Sequence, residues 1–211
     1  LTSFTRRAAI GHAALFAAAM LVAPAAAGAE VLDAALVKSL RQGGYVLVMR
    51  HASSPAAPPA RADADPRNVG LERELDASGR AGAAAVGDAL RKLGVAVGTV
   101  WCSPTFRARQ TASLAGWASP AIADELGDRG VSMQAASGDQ ASWLRARAAE
   151  IPARGTVTVI VTHYPNLSAA FGEAAAGMAD GEMLVFRPEG GAPAPVGRIK
   201  PDEWIAMANR P

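Results

Sequence analysis

The 211-residue sequence predicts an α/β fold, a three-layer α/β/α sandwich built on a mostly parallel sheet. Three observations carry that prediction. Short runs rich in β-formers, at 45–49, 99–102 and 156–162, alternate with segments of helical spacing. One of them, YVLVM, is a continuous apolar run without the polar alternation of a strand with one wet face, so it reads as a strand buried on both sides, in the middle of a parallel sheet. Half of the residues are hydrophobic (50%) and the formal net charge is only +2, which excludes a disordered chain. A single cysteine excludes an internal disulfide scaffold. The length fits one domain with a full core.

The elements follow in order. Leu32, Leu36 and Leu40 recur at helical spacing, predicting a helix over 31–42 that Gly43-Gly44 ends. The run 45–49 is a strand. Residues 52–70, rich in Pro, Ala and Asp, read as a long loop, and loops of that length in a compact domain are usually functional or mobile. Asp76 or Ser78 caps a second helix that reaches Leu93. Residues 99–102 form a short strand, and Pro104 opens a third helix running to Ala115. Residues 119–138 are irregular, with a short strand near 121–123, and 140–151 are helical. The clearest strand is 156–162. Asn166 caps a helix reaching Ala176, 183–186 and 196–199 are strands, and 201–207 is a terminal helical turn.

Residues 1–29 contain no acid, carry Arg6 and Arg7 ahead of an apolar run over 8–23, and end in small residues. That is the pattern of a secretory signal peptide cut after Ala27 or Ala29, leaving a domain over 30–211. The apolar run contains Gly11 and His12 and falls short of the roughly 20 residues a span needs. The expectation is a periplasmic or secreted protein with no stable membrane span after cleavage. Without Arg6 and Arg7 the chain has 19 basic and 19 acidic residues, and its Lys and Arg are scattered. Neither fits a nucleic-acid partner.

In a parallel sheet the ligand lies outside the carboxyl ends of the strands. The first strand ends in Arg50-His51. The second ends in Cys102-Ser103-Pro104, with Arg107 one helical turn on, and the third ends in Thr162-His163. One histidine at such a place is ordinarily a satisfied loop residue. Here both histidines of the domain stand there, joined by two arginines. Two guanidinium forks match the oxygens of a phosphate dianion. A neutral imidazole beside them attacks phosphorus, and a second imidazole, if protonated, donates to the equatorial oxygens. A carboxylic acid must protonate the leaving oxygen and later activate water. This chemistry needs no cofactor and no metal, and two distant histidines make a poor zinc site. If 183–186 runs antiparallel to the other strands, Glu182 stands beside the pocket.

These residues resemble a family. Leu47-Val48-Met49-Arg50-His51-Ala52 is similar to the strand and Arg-His-Gly signature of the histidine phosphatase superfamily, branch 1, the group of the cofactor-dependent phosphoglycerate mutases. Residues 103–112, SPTFRARQTA, resemble its Ser-Pro-x-x-Arg-Ala-x-x-Thr helix. Residues 75–83 are similar to the opening of its first long helix, and Val161-Thr162-His163 to its second-histidine strand. The resemblance implies that His51 is the phosphorylated nucleophile, that Arg50 and Arg107 clamp the phosphate and that His163 completes the pocket. Asp128 falls where the mutase-like branch carries its acidic residue, and Glu125 lies close by. Glu182 ranks first among the three candidate acids. Ser53 or Ser54 is a further candidate contact. Two departures stand out: Ala52 replaces the usual glycine, and Tyr164-Pro165-Asn166 follows the second histidine.

The expected activity is a metal-independent phosphomonoester hydrolase with a phosphohistidine at His51. Its partner would be a phosphorylated small molecule such as an envelope sugar phosphate. The alternatives are a non-catalytic phosphate-binding module of the same fold, or a phosphomutase.

Overall fold

A computed structural model describes residues 32–117, 119–127 and 136–210. The leader 1–29 and Asp128 lie outside these. The chain runs α1 (Ala34–Arg41), β1 (Val46–Arg50), α2 (Ala77–Lys92), β2 (Val97–Cys102), α3 (Phe106–Leu114), β3 (Ala121–Ile122), α4 (Gly138–Ala148), β4 (Val157–Thr162), α5 (Tyr164–Phe171), β5 (Met183–Phe186), β6 (Pro195–Ile199) and α6 (Pro201–Ala208). The six strands form one sheet in the order β3-β2-β4-β1-β5-β6. The pairs β3/β2, β2/β4 and β4/β1 are parallel, whereas β1/β5 and β5/β6 are antiparallel. The expected mixed α/β sandwich on a mostly parallel sheet is therefore present.

Period-2 geometry separates the layers. Leu47 and Met49 of β1 join Leu36 and Leu40 of α1, Val86 and Leu90 of α2, Ala108 and Ala112 of α3 and Trp204 of α6 on one face. Val46 and Val48 turn to the other face and pack with Leu144 of α4, Leu167 of α5, Ile160 and Phe186. Burying alternate residues on opposite sides is what makes a strand uniformly apolar.

The helix starts follow local chemistry. Asp33 caps α1 by accepting from Leu36 N at 2.8 Å, and Asp76 caps α2 by accepting from Gly79 N at 2.6 Å. Two starts differ from expectation. Pro104 does not open α3, because Thr105 remains extended (ψ 145°) and the helix begins at Phe106. Asn166 does not cap α5, because the helix begins directly after β4 with His163 as its N-cap. Pro165 fits in the first turn, where no N–H is needed. Asn166 instead reaches back to donate to Thr162 Oγ1 at 2.8 Å. Among the described residues no helix is long and apolar enough to cross a membrane.

Candidate active site

Sheet order alone assembles the site. β4 lies between β2 and β1, in register Arg50↔Thr162 and Cys102↔Val161. His51 N donates to Thr162 O at 2.9 Å and Ser103 N to Val161 O at 3.0 Å, so the strand ends are level. Three stretches from distant parts of the chain meet at one edge of the sheet.

The two imidazoles meet edge to face, with centroids 5.1 Å apart. His51, His163 and Arg107 are all buried. Their hydrogen bonds set the tautomers. His51 Nδ1 donates to the Ala52 carbonyl at 2.8 Å, which leaves Nε2 with its lone pair, 3.3 Å from Arg107 Nε. Arg107 Nη2 donates to His163 Nδ1 at 3.1 Å, so His163 carries its proton on Nε2 and donates to Ser103 Oγ at 2.8 Å. Thr105 Oγ1 lies 3.3 Å from the same nitrogen. Burial holds the His51 imidazolium down to about pH 3, against the opposing pull of the Ala52 carbonyl, with help from the charges of Arg107, Arg50 and Arg73. His163 is lowered well below its usual value by burial first and by Arg107 next. In the free site both rings are neutral. His163 receives a hydrogen bond from a cation rather than acting as one, unlike the protonated second imidazole considered from the sequence.

Arg50 is placed differently from Arg107. Its Nη1 donates to the Met178 carbonyl at 2.5 Å, its Nη2 is ion-paired with Asp180 at 2.7 Å, and the guanidinium stacks over Tyr164 at 5.6 Å. Its Nε is buried without a hydrogen-bond partner among the described residues. Arg73 is a third guanidinium near the histidines. It donates to the carbonyls of Pro55 and Ser54 at 2.5 and 3.0 Å, and its charge reaches both rings.

The carboxylates divide by their surroundings. The geometry argues against Glu182 as the leading acid. It is 1% exposed, accepts from Arg198 Nε at 2.6 Å and Nη2 at 2.8 Å, and accepts from Ala179 N at 2.7 Å. Burial alone would raise its carboxyl, but the Arg198 and Ala179 hydrogen bonds and the charges of Arg198 and Lys200 hold it below the usual range. A carboxylate kept ionised on three donors has no proton to give. Glu125 is exposed on a 3-10 turn (Asp124–Leu126) whose Leu126 carbonyl accepts from Thr162 Oγ1 at 2.9 Å.

The serines are also committed elsewhere. Ser53 Oγ donates to Asp76 at 2.7 Å and Ser54 Oγ to the Glu74 carbonyl at 2.7 Å, tying the loop after His51 to the entry of α2. Ala52 is buried, lies outside the left-handed region and donates its N–H to Thr111 Oγ1 at 3.1 Å. The missing glycine therefore costs no backbone strain here. Burial pushes the Cys102 thiol up to about 12, so it is inert. Among the described residues no group of three or more His, Cys, Asp or Glu is placed to hold a metal ion.

Sequence reasoning assigned no role to Ser103, Thr105, Thr111, Arg73 or Asp180. Ser103 and Thr111 lay inside the quoted motif, and their hydroxyls could have been read as partners for His163 and the His51 loop. Arg73 and Asp180 stand in loops, with no periodicity or spacing to mark them.

Residues 46–131 match the family described as histidine phosphatase superfamily (branch 1). A search of curated proteins finds no match. Among solved structures, the fold is similar to that of the protein histidine phosphatase SixA complexed with tungstate. That match has 19% identity and a TM-score of 0.55, and covers 75% of this chain and 97% of that one. It is also similar to a histidine-to-alanine mutant of phosphoserine phosphatase from Entamoeba histolytica in complex with phosphoserine. There the identity is 12%, the TM-score 0.52, and the coverage 75% of this chain and 98% of that one. The family match covers the stretch that carries Arg50, His51 and Arg107, and the solved structures share the phosphoglycerate mutase-like fold.

Proposed function

We propose that the protein is a phosphomonoester hydrolase that works through a phosphohistidine on His51. The observation that carries this reading is the His51 ring itself. Its Nδ1 proton is fixed on a backbone carbonyl, and its Nε2 lone pair faces the buried Arg107 that also holds His163. A dianion drawn between these groups by the charges of Arg107, Arg50 and Arg73 would place phosphorus against Nε2. The nitrogen forms a bond to phosphorus as the ester oxygen leaves. Arg107, which also holds the neutral imidazole of His163, stabilises the charge that builds on the equatorial oxygens. Water then attacks the phosphohistidine and releases phosphate. Arginine supplies the charge neutralisation that a metal provides in other phosphatases.

The acid-free leader supports an exported location, and phosphorylated small molecules, envelope sugar phosphates among them, are the substrates we favour. The test is transfer of radioactive phosphoryl from an aryl phosphate. Wild type is expected to yield an acid-labile, base-stable label that His51→Ala lacks. A protein that binds vanadate yet never becomes labelled would be a binding module instead.

A further inference from the structure

We propose that Asp180 is the proton donor and acceptor of the hydrolysis, an assignment that rests on the phosphohistidine reading above. Asp180 stands on a turn fastened to the nucleophile's own backbone. Gly181 N donates to both the Arg50 carbonyl (3.1 Å) and the His51 carbonyl (3.0 Å), and Arg50 N donates to Glu182 O at 3.0 Å. Gly181 has φ +77°, and a Cβ there would lie 3.0 Å from Pro201 Cγ, so the turn needs glycine. The far side of the turn is closed by Glu182, which binds Ala179 N and Arg198, while Arg198 Nη1 also donates to the Ala176 carbonyl at 2.7 Å. Glu182 and Arg198 are positioning residues for this turn, whose Asp180 carboxylate pairs with Arg50, the residue next to His51.

Three features fit Asp180 to the role. Its side chain is 32% exposed, so protons can exchange with solvent. It is ion-paired with Arg50, and its charge also offsets part of the depression that burial and Arg50 impose on Arg73, so it acts on two of the site's arginines. Two other carboxylates among the described residues have different duties: Glu182 is saturated, and Glu72 accepts from Phe106 N at 2.8 Å at the start of α3. Arg50 has an unused buried Nε with which to take a phosphate oxygen.

The steps balance. His51 Nε2 bonds to phosphorus while the bond from phosphorus to the ester oxygen breaks. That oxygen keeps the electron pair and takes the Asp180 proton. In the second step the Asp180 carboxylate takes a proton from water as the water oxygen bonds to phosphorus. The phosphorus–nitrogen bond breaks, its pair returns to Nε2, and inorganic phosphate leaves.

The experiment compares Asp180→Asn with wild type on an alkyl phosphate, whose leaving oxygen needs a proton, and on 2,4-dinitrophenyl phosphate, whose leaving oxygen does not. General acid catalysis predicts a fall in kcat of about 100-fold or more on the alkyl ester and less than about tenfold on the dinitrophenyl ester. Asp180→Ser, which removes the carboxyl without an amide to re-pair Arg50, is expected to show the same split. Equal losses on both esters, or no loss on the alkyl ester, overturn the assignment. Labelling of His51 from the dinitrophenyl ester is read in the same samples. If even wild type takes no label, the phosphatase reading itself fails. If label forms and the split is absent, only the role of Asp180 fails.

Discussion

Arg107 reaches both imidazoles from the first turn of α3 with two different nitrogens. A lysine carries the charge but not the fork, so it can address one ring at a time. Arg107→Lys is therefore expected to lower kcat/KM by about 100-fold, in the range seen when one preorganised donor to a transition state is lost. Phosphomonoester kinetics check this, and a loss below about fivefold would contradict the shared-donor geometry. The same arginine helps keep the rings neutral. In Arg107→Ala, NMR titration of the His51 ring is expected to show its protonation at higher pH than in wild type, because one cause of the depression is gone.

At the scale of elements, two connections hold the nucleophile. One is the entry of α2. A Cβ on Gly79 would lie 2.0 Å from the Ser53 carbonyl oxygen, so the helix packs directly on the loop that follows His51. Gly79→Ala must push that loop away, and is expected to cost about 1–3 kcal/mol of stability in urea unfolding together with a loss of kcat/KM. The other connection is the turn before β5. Glu182→Gln leaves Arg198 facing a neutral amide, and breaking such a pair costs about 3 kcal/mol. The expected signature is a lower melting temperature with losses of similar size on alkyl and dinitrophenyl esters, unlike Asp180→Asn. A selective loss on the alkyl ester would return Glu182 to the role of acid.

These elements also show what could be read in advance. β1 was legible because a strand covered on both faces leaves an unbroken apolar run, β4 because β-branched residues fill it, and the cap of α2 because Asp76 precedes helical spacing. The start of α5 was misread. Asn166 looked like a cap, but its partner is Thr162 on the preceding strand, a contact that exists only once β4 is in the sheet.

For the whole molecule, two neutral buried imidazoles link stability to pH. An unfolded histidine takes a proton near 6.5, whereas folded His51 resists protonation to about 3 and His163 shifts in the same direction. Between these values the unfolded chain binds more protons, so the stability contribution is complete above about pH 6.5 and declines as pH falls toward 3. Melting temperatures of the free protein are expected to drop between pH 7.5 and 5, and His51→Asn to flatten that slope. A slope unchanged by the substitution would mean that the ring is already charged. An anion that binds only the folded form adds stability by mass action, about 2.7 kcal/mol at 100 times its Kd. Vanadate is expected to raise the melting temperature of wild type and to do so less in Arg107→Ala.

The amino-acid order was enough for the α/β class and most elements, and it pointed to Arg50, His51, Arg107 and His163, whose strands the sheet brings level at one edge. Apolar periodicity and strand-end position are local properties, and an ordered set of motifs survives without knowledge of contacts. The tautomers of the two rings, the third arginine at position 73, the pairing of Arg50 with Asp180 and the capture of Glu182 by Arg198 were settled by folding. Each depends on which side chains from distant segments come within hydrogen-bond reach at one sheet edge. A carboxylate's chemistry depends on those neighbours: Glu182, a strong candidate in the string, closes on Arg198, and Asp180, unmarked in it, stands against Arg50 beside the nucleophile.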